Sequence, residues 1–261
     1  MTTPSARERR GVFGEVADDY DRIRPGYPDQ LVDDVLAAAG PGPVLEVGAG
    51  TGKATVAFAA RGADLTCIEP DPRMAALLRR KLPTVPIVVS TFEGWVPDRP
   101  YGALISAQAW HWVDAEKRIG LIRRALALGG LFAPFWNGFL TVDPDLHASL
   151  REVDARHGLQ GESSHYHLSR DFPELGAFDD EWASLDLPAD EFPERGHRRY
   201  HSQRSYSAAD YRTHLLSISM YRILEPAAIE AAIDDTVAVI DQHGGTIDFD
   251  IITDVVLARR S

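Results

Sequence analysis

Three glycines separated by single residues, Gly48, Gly50 and Gly52, follow the apolar run Val44-Leu45-Glu46-Val47 and precede a helix-forming stretch, Lys53 to Arg61. A tight glycine turn between strand and helix lets a ligand lie against bare backbone, with amide N–H groups directed at it. Glu46 stands two residues before the first glycine, and Glu69-Pro70 closes the next apolar run, 17 residues after Gly52. A carboxylate at that strand end can accept hydrogen bonds from both hydroxyls of an adenosine ribose; the plainer alternative is a solvated carboxylate. Two ligand classes compete for such a loop. A dinucleotide loop reads Gly-x-Gly-x-x-Gly and would require Gly or Ala at position 53. This chain has Lys53 there, and its third glycine comes one residue early.

Further along, His111 lies between Trp110 and Trp112 after an apolar run, Ala103 to Ser106. An imidazole titrates near neutrality, which makes His111 the first candidate for a general base; the alternative is a histidine that orders the loop while the indoles pack. Gln108 and Trp110 are expected as pocket walls, and Trp136 and Asn137 as the acceptor side, although core packing accounts for Trp136 equally well. Met74, one turn into the helix opened by Asp71-Pro72, could pack on an adenine or simply in the core. His165-Tyr166-His167 and the run Arg195-Gly196-His197-Arg198-Arg199-Tyr200-His201 gather histidines, arginines and tyrosines. Two histidines one residue apart can bind a metal, but no cysteine or acidic ligand pattern accompanies them, so no metal site is expected. The arginines could receive a carboxylate, yet a solvated strand face paired with nearby acids is the preferred reading. Tyr166 and Tyr200 stand as candidate acceptor contacts.

The elements that must position these residues alternate. Leu31 to Ala39 shows helical spacing and is stopped by Gly40-Pro41-Gly42-Pro43. Strands are expected at Val44–Val47, Leu65–Ile68, Val85–Val89, Ala103–Ser106 and Leu131–Trp136, with helices between them, the last over Glu116–Leu128. Repeated β-then-α units of this length imply a parallel sheet covered on both faces. After Trp136 the pattern breaks into a helical piece, Leu146 to His157, and an irregular region. Helices at Tyr211–Leu224 and Ala228–His243, an alternating run Thr246–Ile251 and a closing strand Val255–Ala258 complete the chain. Residues 1–10 read as a mobile tail.

The bulk properties narrow the partners. The 261 residues carry 39 acidic and 27 basic side chains, a formal net charge of −12, which disfavours nucleic acid and anionic membranes. No apolar run reaches transmembrane length and no apolar h-region follows the basic N-terminus, so a cytoplasmic location is expected. The one cysteine, Cys67, is expected as a buried, reduced thiol.

The pattern Glu46-x-Gly48-x-Gly50-x-Gly52 in its strand–turn–helix setting resembles motif I of class I S-adenosylmethionine-dependent methyltransferases. Tyr101 to Trp112, containing Gln108-Ala109-Trp110-His111-Trp112, is similar to a bacterial subgroup that includes trans-aconitate methyltransferases and other small-molecule methyltransferases. So is Phe13 to Pro28, with Tyr20-Asp21 and Arg24-Pro25-Gly26-Tyr27-Pro28. The resemblance implies a Rossmann-like, doubly wound, mostly parallel seven-stranded α/β sheet with helices on both faces and an inserted lid. It implies one domain over 11–261 with the substrate lid at 138–205. S-adenosylmethionine is the implied cofactor, held by the glycine loop, Glu46, Glu69, Pro70, Met74 and Gln108. By the same likeness Phe92 and Glu93 flank the adenine, while Tyr20 and Arg24 approach the methionine end; Phe92 departs from the family's small residue there. The implied reaction is methyl transfer to a small-molecule acceptor, with a cofactor-binding protein that does not transfer as the alternative; oligomeric state is not legible.

Overall fold

The protein is represented by a computed structural model that describes residues 17–159, 165, 167–171, 185, 187–218, 221 and 225–261. The expected tail at 1–10 and Tyr166 lie outside the described residues.

The described elements run α1 (Ala17–Ile23), α2 (Asp29–Ala39), β1 (Pro43–Val47), α3 (Lys53–Ala59), β2 (Asp64–Ile68), α4 (Pro72–Lys81), β3 (Ile87–Val88) and β4 (Tyr101–Ala107). Then follow α5 (Arg118–Ala125), β5 (Leu126–Thr141), α6 (Pro144–His157), β6 (His167–Leu168), β7 (Glu194–Ser207), α7 (Ala208–Leu216), α8 (Pro226–Gln242) and β8 (Thr246–Arg259). The strand order is β3-β2-β1-β4-β5-β8-β7, with β6 paired to β5. Pairings β2–β3, β1–β2, β1–β4 and β4–β5 are all parallel. Gly129 N–H donates to the Arg260 carbonyl and Arg260 N–H returns to that of Gly130, so β8 runs antiparallel to β5 there. This is a Rossmann-like α/β fold with a mixed, mostly parallel sheet.

The chain divides into two compact units. The sheet unit comprises Gly26–Asn137, Phe178–Tyr200 and Thr253–Ser261. Alternate residues of its strands face opposite layers, as the two-residue period of a strand requires. Val44, Ala103, Ile105, Leu131 and Ala133 pack with Leu31, Val32 and Phe58 of α2 and α3. Leu45, Val47, Leu104 and Phe132 pack with Leu121 and Ile122 of α5. Burial on both faces explains why β1 reads as an uninterrupted apolar run around Glu46. The helical unit comprises Met1–Pro25, Gly138–Ala177 and His201–Ile252. Its core gathers Leu146 and Leu150 of α6, Tyr211 and Leu215 of α7, Ile233 and Ile240 of α8, and Phe249.

Several boundaries differ from the sequence reading. The helix expected to Leu128 ends at Ala125, and β5 begins at Leu126, where Leu126 pairs with Tyr101. Pairing with β4 outweighs the helical propensity of Leu126-Ala127-Leu128, and a register shift between Tyr101 and Ala103 absorbs the extra residues. The two pieces expected at 246–251 and 255–258 form one strand, β8, because Ile252-Thr253-Asp254 stays extended and buried or half-buried between them. β3 contracts to Ile87–Val88.

Candidate functional site

The glycine loop leaves β1 at the carboxyl edge of the sheet. Gly48 has φ +73°, a left-handed conformation, and a Cβ there would collide with that of Ala109. Gly48 and Ala49 N–H both donate to the Ile68 carbonyl at 2.9 and 3.1 Å, tying the loop to the end of β2. Lys81, in the last turn of α4, donates to the Thr51 carbonyl at 2.9 Å.

Glu69 is the centre of this arrangement. It is 5% exposed, its Oε2 accepts the Gly50 N–H at 2.7 Å and its Oε1 accepts the Asp71 N–H at 2.8 Å. One carboxylate therefore joins the glycine loop to the start of α4. Each carboxylate oxygen can accept two hydrogen bonds, so these contacts are compatible with a bound diol. Asp71 caps α4 by accepting the Arg73 N–H at 2.9 Å, and the Arg73 guanidinium holds its carboxyl below the usual range. Met74 is buried, with its sulfur 4.0 Å from where a Gly50 Cβ would lie, and Pro70 is half-buried beside Glu69. Glu69 and Met74 thus both lie against Gly50 of the loop.

Glu46 is fully buried in β1. Burial, reinforced by the charge of Glu69, pushes its carboxyl up to about 7. The Cys67 thiol donates to its Oε2 at 3.9 Å, while its Oε1 has no hydrogen-bond partner among the described residues. A buried, unpartnered carboxylate oxygen below a backbone cradle suits a ligand that brings a cationic donor, and S-adenosylmethionine carries an ammonium.

Beyond β4 the chain turns through Gln108, which at φ +56° is the left-handed non-glycine residue among those described. Gln108 N–H donates to the Phe135 carbonyl at 2.9 Å and its Nε2 to the Asn137 carbonyl at 3.0 Å. Asn137 in turn donates from Nδ2 to the Gly26 carbonyl at 3.2 Å and accepts the Thr253 hydroxyl at 2.7 Å. Gln108 and Asn137 thus stitch the ends of β4 and β5 to β8 and to the segment before α2. Thr253 was not among the expected residues; only the continuity of β8 brings it here.

Trp110, expected as a pocket wall, is 1% exposed and packs on Phe132 (ring centroids 4.7 Å) and Phe92 (6.2 Å). Phe92 also stacks on Trp95, so both rings belong to the core beneath the loop. Trp136 is half-buried against the same cluster. Glu93 accepts the Asp114 N–H at 2.9 Å and so fixes the segment after Trp112. His111 is exposed and lies against Trp112, while Arg118 donates to its carbonyl at 3.3 Å. Partial burial of the ring and then the Arg118 charge push its pKa down, to about 4. Solvent at the exposed ring limits the first effect, the second acts in the same direction, and the imidazole is neutral at neutral pH.

Other expected residues are engaged elsewhere. Tyr200 donates to Asp34 at 2.7 Å, and Arg198 pairs with the same carboxylate at 2.5 Å. Arg199 forms a two-point pair with Asp254 at 2.6 and 2.8 Å. Arg198 and Arg199 are thus paired with acids, whereas Arg195 donates to the Phe192 and Leu187 carbonyls. Tyr20 and Arg24 belong to the helical unit, where Arg24 stacks over Tyr20 at 5.3 Å and donates to the Ser217 hydroxyl and carbonyl.

Comparison with known proteins agrees with this geometry. Residues 45–133 match the family described as a methyltransferase domain. An uncharacterised methyltransferase of Mycobacterium tuberculosis is 40% identical over 136 residues, covering 52% of this chain and 56% of that protein. A probable S-adenosylmethionine-dependent methyltransferase of Saccharomyces cerevisiae is 28% identical over 127 residues, 45% of this chain and 43% of that protein. The chain spans about half the length of these curated relatives. A solved structure from Anaeromyxobacter dehalogenans, described as a type II methyltransferase, superposes with a TM-score of 0.59 at 23% identity, covering 91% of this chain and 97% of that one. At that identity the likeness is one of fold. The stretch that carries the glycine loop, Glu69 and the turn after β4 is therefore the part of the chain that is similar to a methyltransferase domain.

Proposed function

We propose that this chain transfers the methyl group of S-adenosylmethionine to a small-molecule acceptor by in-line displacement. The observation that carries the reading is the Glu69 carboxylate bonded to Gly50 N–H, beside the unpartnered Oε1 of buried Glu46. When bound, the cofactor supplies a methyl group already activated by its sulfonium. The chain's own residues then have to bind, orient and exclude water, which can contribute roughly 7–11 kcal/mol.

In this reading Gly48, Gly50 and Gly52 receive the cofactor backbone-side, Glu46 takes the ammonium, and Glu69, Pro70 and Met74 take the ribose and adenine side. Gln108 and Asn137 shape the rim beyond β4 and β5, while Phe92, Glu93 and Trp110 support it from below. The likeness of Phe13 to Pro28 to the trans-aconitate subgroup assigns Tyr20 and Arg24 to the methionine end. His111 offers a neutral imidazole at the surface of the loop. The net charge of −12 disfavours nucleic acid as acceptor, and no helix among the described residues is long and apolar enough to cross a membrane. The likeness around Gln108 to His111 supports a small molecule, as in the trans-aconitate subgroup.

Calorimetric titration of cofactor-free protein with S-adenosylmethionine tests the proposal. Saturable binding that Glu69→Ala weakens tenfold or more is expected. No heat and no thermal shift would overturn it.

A further inference from the structure

Beneath the glycine loop, β1 and β2 set two polar side chains opposite each other in an otherwise apolar layer. Glu46 pairs in register with Cys67 on β2 and with Ile105 on β4, and Glu46 and Cys67 are both 0% exposed. The Cys67 thiol donates to Glu46 Oε2 at 3.9 Å, the long contact of a weak sulfur donor. From α3, Thr55 brings a hydroxyl that is also buried. It makes no hydrogen bond of good geometry among the described residues, yet it acts on the same carboxyl and favours its charged form. Glu69, at the end of β2, acts in the opposite sense, since its like charge opposes a second anion. The groups that set the charge of Glu46 are therefore Thr55, Glu69 and Cys67, and none of them is a cation.

An ionised carboxylate is costly on these terms, because a thiol and a poorly aligned hydroxyl stand where water would have solvated it. It keeps a proton instead: burial first, with the charge of Glu69 added, pushes its carboxyl up to about 7. The thiol also stays protonated, since burial and the Glu46 charge both disfavour a thiolate, so Cys67 serves as a donor. A ligand that brings a positive charge to the loop reverses the balance at Glu46. Attraction between opposite charges falls only as the inverse of their distance, so the ligand acts on the carboxyl without having to touch Oε1.

We propose that Glu46 is a proton-exchange site, tuned by Cys67 and Thr55, which keeps its proton until the ammonium of a ligand docks at the loop and then releases it to solvent. Resting on the cofactor reading above, the proposal adds a property of the same site: S-adenosylmethionine binds together with the loss of one proton. The O–H bond of the carboxyl breaks, the proton passes to buffer, and the carboxylate left behind is balanced by the charge of the ligand. Cys67 and Thr55 are positioning residues, each acting on the ligand through Glu46.

The test titrates the full chain, freed of bound cofactor, with S-adenosylhomocysteine, which keeps the ammonium, and with methylthioadenosine, which lacks it. Calorimetry at about pH 6, in phosphate and in Bis-Tris, separates the heat of binding from that of proton transfer. S-adenosylhomocysteine is expected to release about one proton per site and methylthioadenosine none. The affinity for S-adenosylhomocysteine should rise about fivefold from about pH 6 to about pH 7, below the range in which the ligand's own amine titrates. Glu46→Gln should bind with no proton released and with a flat profile. Cys67→Ala and Thr55→Val each remove a group that favours the charged carboxyl, so both should move the rise to higher pH.

Equal heats in the two buffers, or the same release with methylthioadenosine, overturn the proposal. If Glu46→Gln does not fold, the contrast between the two ligands on the unaltered chain decides it. Profiles unmoved in both Cys67→Ala and Thr55→Val overturn their positioning roles. Binding without proton exchange overturns this inference alone, whereas no binding of either ligand or of S-adenosylmethionine at any pH overturns the methyl-transfer reading along with it.

Discussion

Glu69 Oε2 accepts the Gly50 N–H at 2.7 Å while Oε1 accepts that of Asp71 at 2.8 Å, so one carboxylate orders both the cofactor loop and the first turn of the following helix. Glu69→Gln keeps the shape but offers one acceptor oxygen in place of two. Cofactor affinity should fall about tenfold, about 1.4 kcal/mol, with a smaller loss in melting temperature. A titration series of wild type, Glu69→Gln and Glu69→Ala should rank in that order. Equal affinities would remove Glu69 from the site.

Gly48→Ala should be far more damaging than Gly62→Ala. Both positions have positive φ, +73° and +77°, which costs an alanine about 1–2 kcal/mol. Only at Gly48 does the new methyl also meet another side chain, that of Ala109. Overpacking adds about 1–3 kcal/mol, and the loop must shift to accept it. Urea denaturation of the two variants, with cofactor titration of whichever folds, checks the difference.

Glu46 makes stability depend on pH. Its folded pKa, about 7, lies above the ordinary 4.5, so the folded chain favours the protonated carboxyl. That contribution is complete below about 4.5 and is lost as pH rises through about 7. The stability difference between wild type and Glu46→Gln should therefore move against wild type by roughly 3 kcal/mol across that window. Denaturation at either end of the window measures it, and a flat difference would contradict the raised pKa.

His111 should not impose a neutral-range limb on the rate. Its pKa is lowered, so the neutral form is favoured in the fold, its contribution is complete above 6.5 and declines as pH falls toward about 4. The methyl-transfer rate of wild type and of His111→Gln should show the same shape between about pH 6 and 8. An acid limb near 6.5 that disappears in His111→Gln would show an imidazole titrating at its ordinary value and acting as the base.

Thr253→Val conserves shape and removes the hydroxyl that Asn137 Oδ1 accepts from at 2.7 Å. The oxygen left without its donor belongs to half-buried Asn137, so the loss should be about 0.5–1.5 kcal/mol. A double-mutant cycle with Asn137→Ala should show that the two losses are not additive.

The loop and its strands were legible because they depend on local chemistry: glycines at fixed spacing, a proline after an N-cap aspartate, an apolar run for each buried parallel strand. Glu69 was legible for the same reason. The roles of Phe92 and Trp110 were not, since a sequence shows an aromatic residue near a site but not the direction in which its ring points. Both point into the core. Thr253 and Gly26 were invisible because each acts through a partner more than a hundred residues away, Asn137 in both cases. The helix expected to Leu128 failed at Leu126 for a related reason, as strand pairing with Tyr101 outweighs a local preference.

Cys67 is the one thiol in the chain, lies 0% exposed in β2, and is made less acidic by burial beside Glu46. A reagent such as iodoacetamide can reach it only when the central strands open. Its labelling rate in the native protein is therefore a clock for sub-global opening of the sheet, read at a single atom and without any engineered probe. Because that strand ends in Glu69, ligands that grip the carboxylate should slow the clock, and the extent of slowing would report how much of their binding energy reaches the sheet.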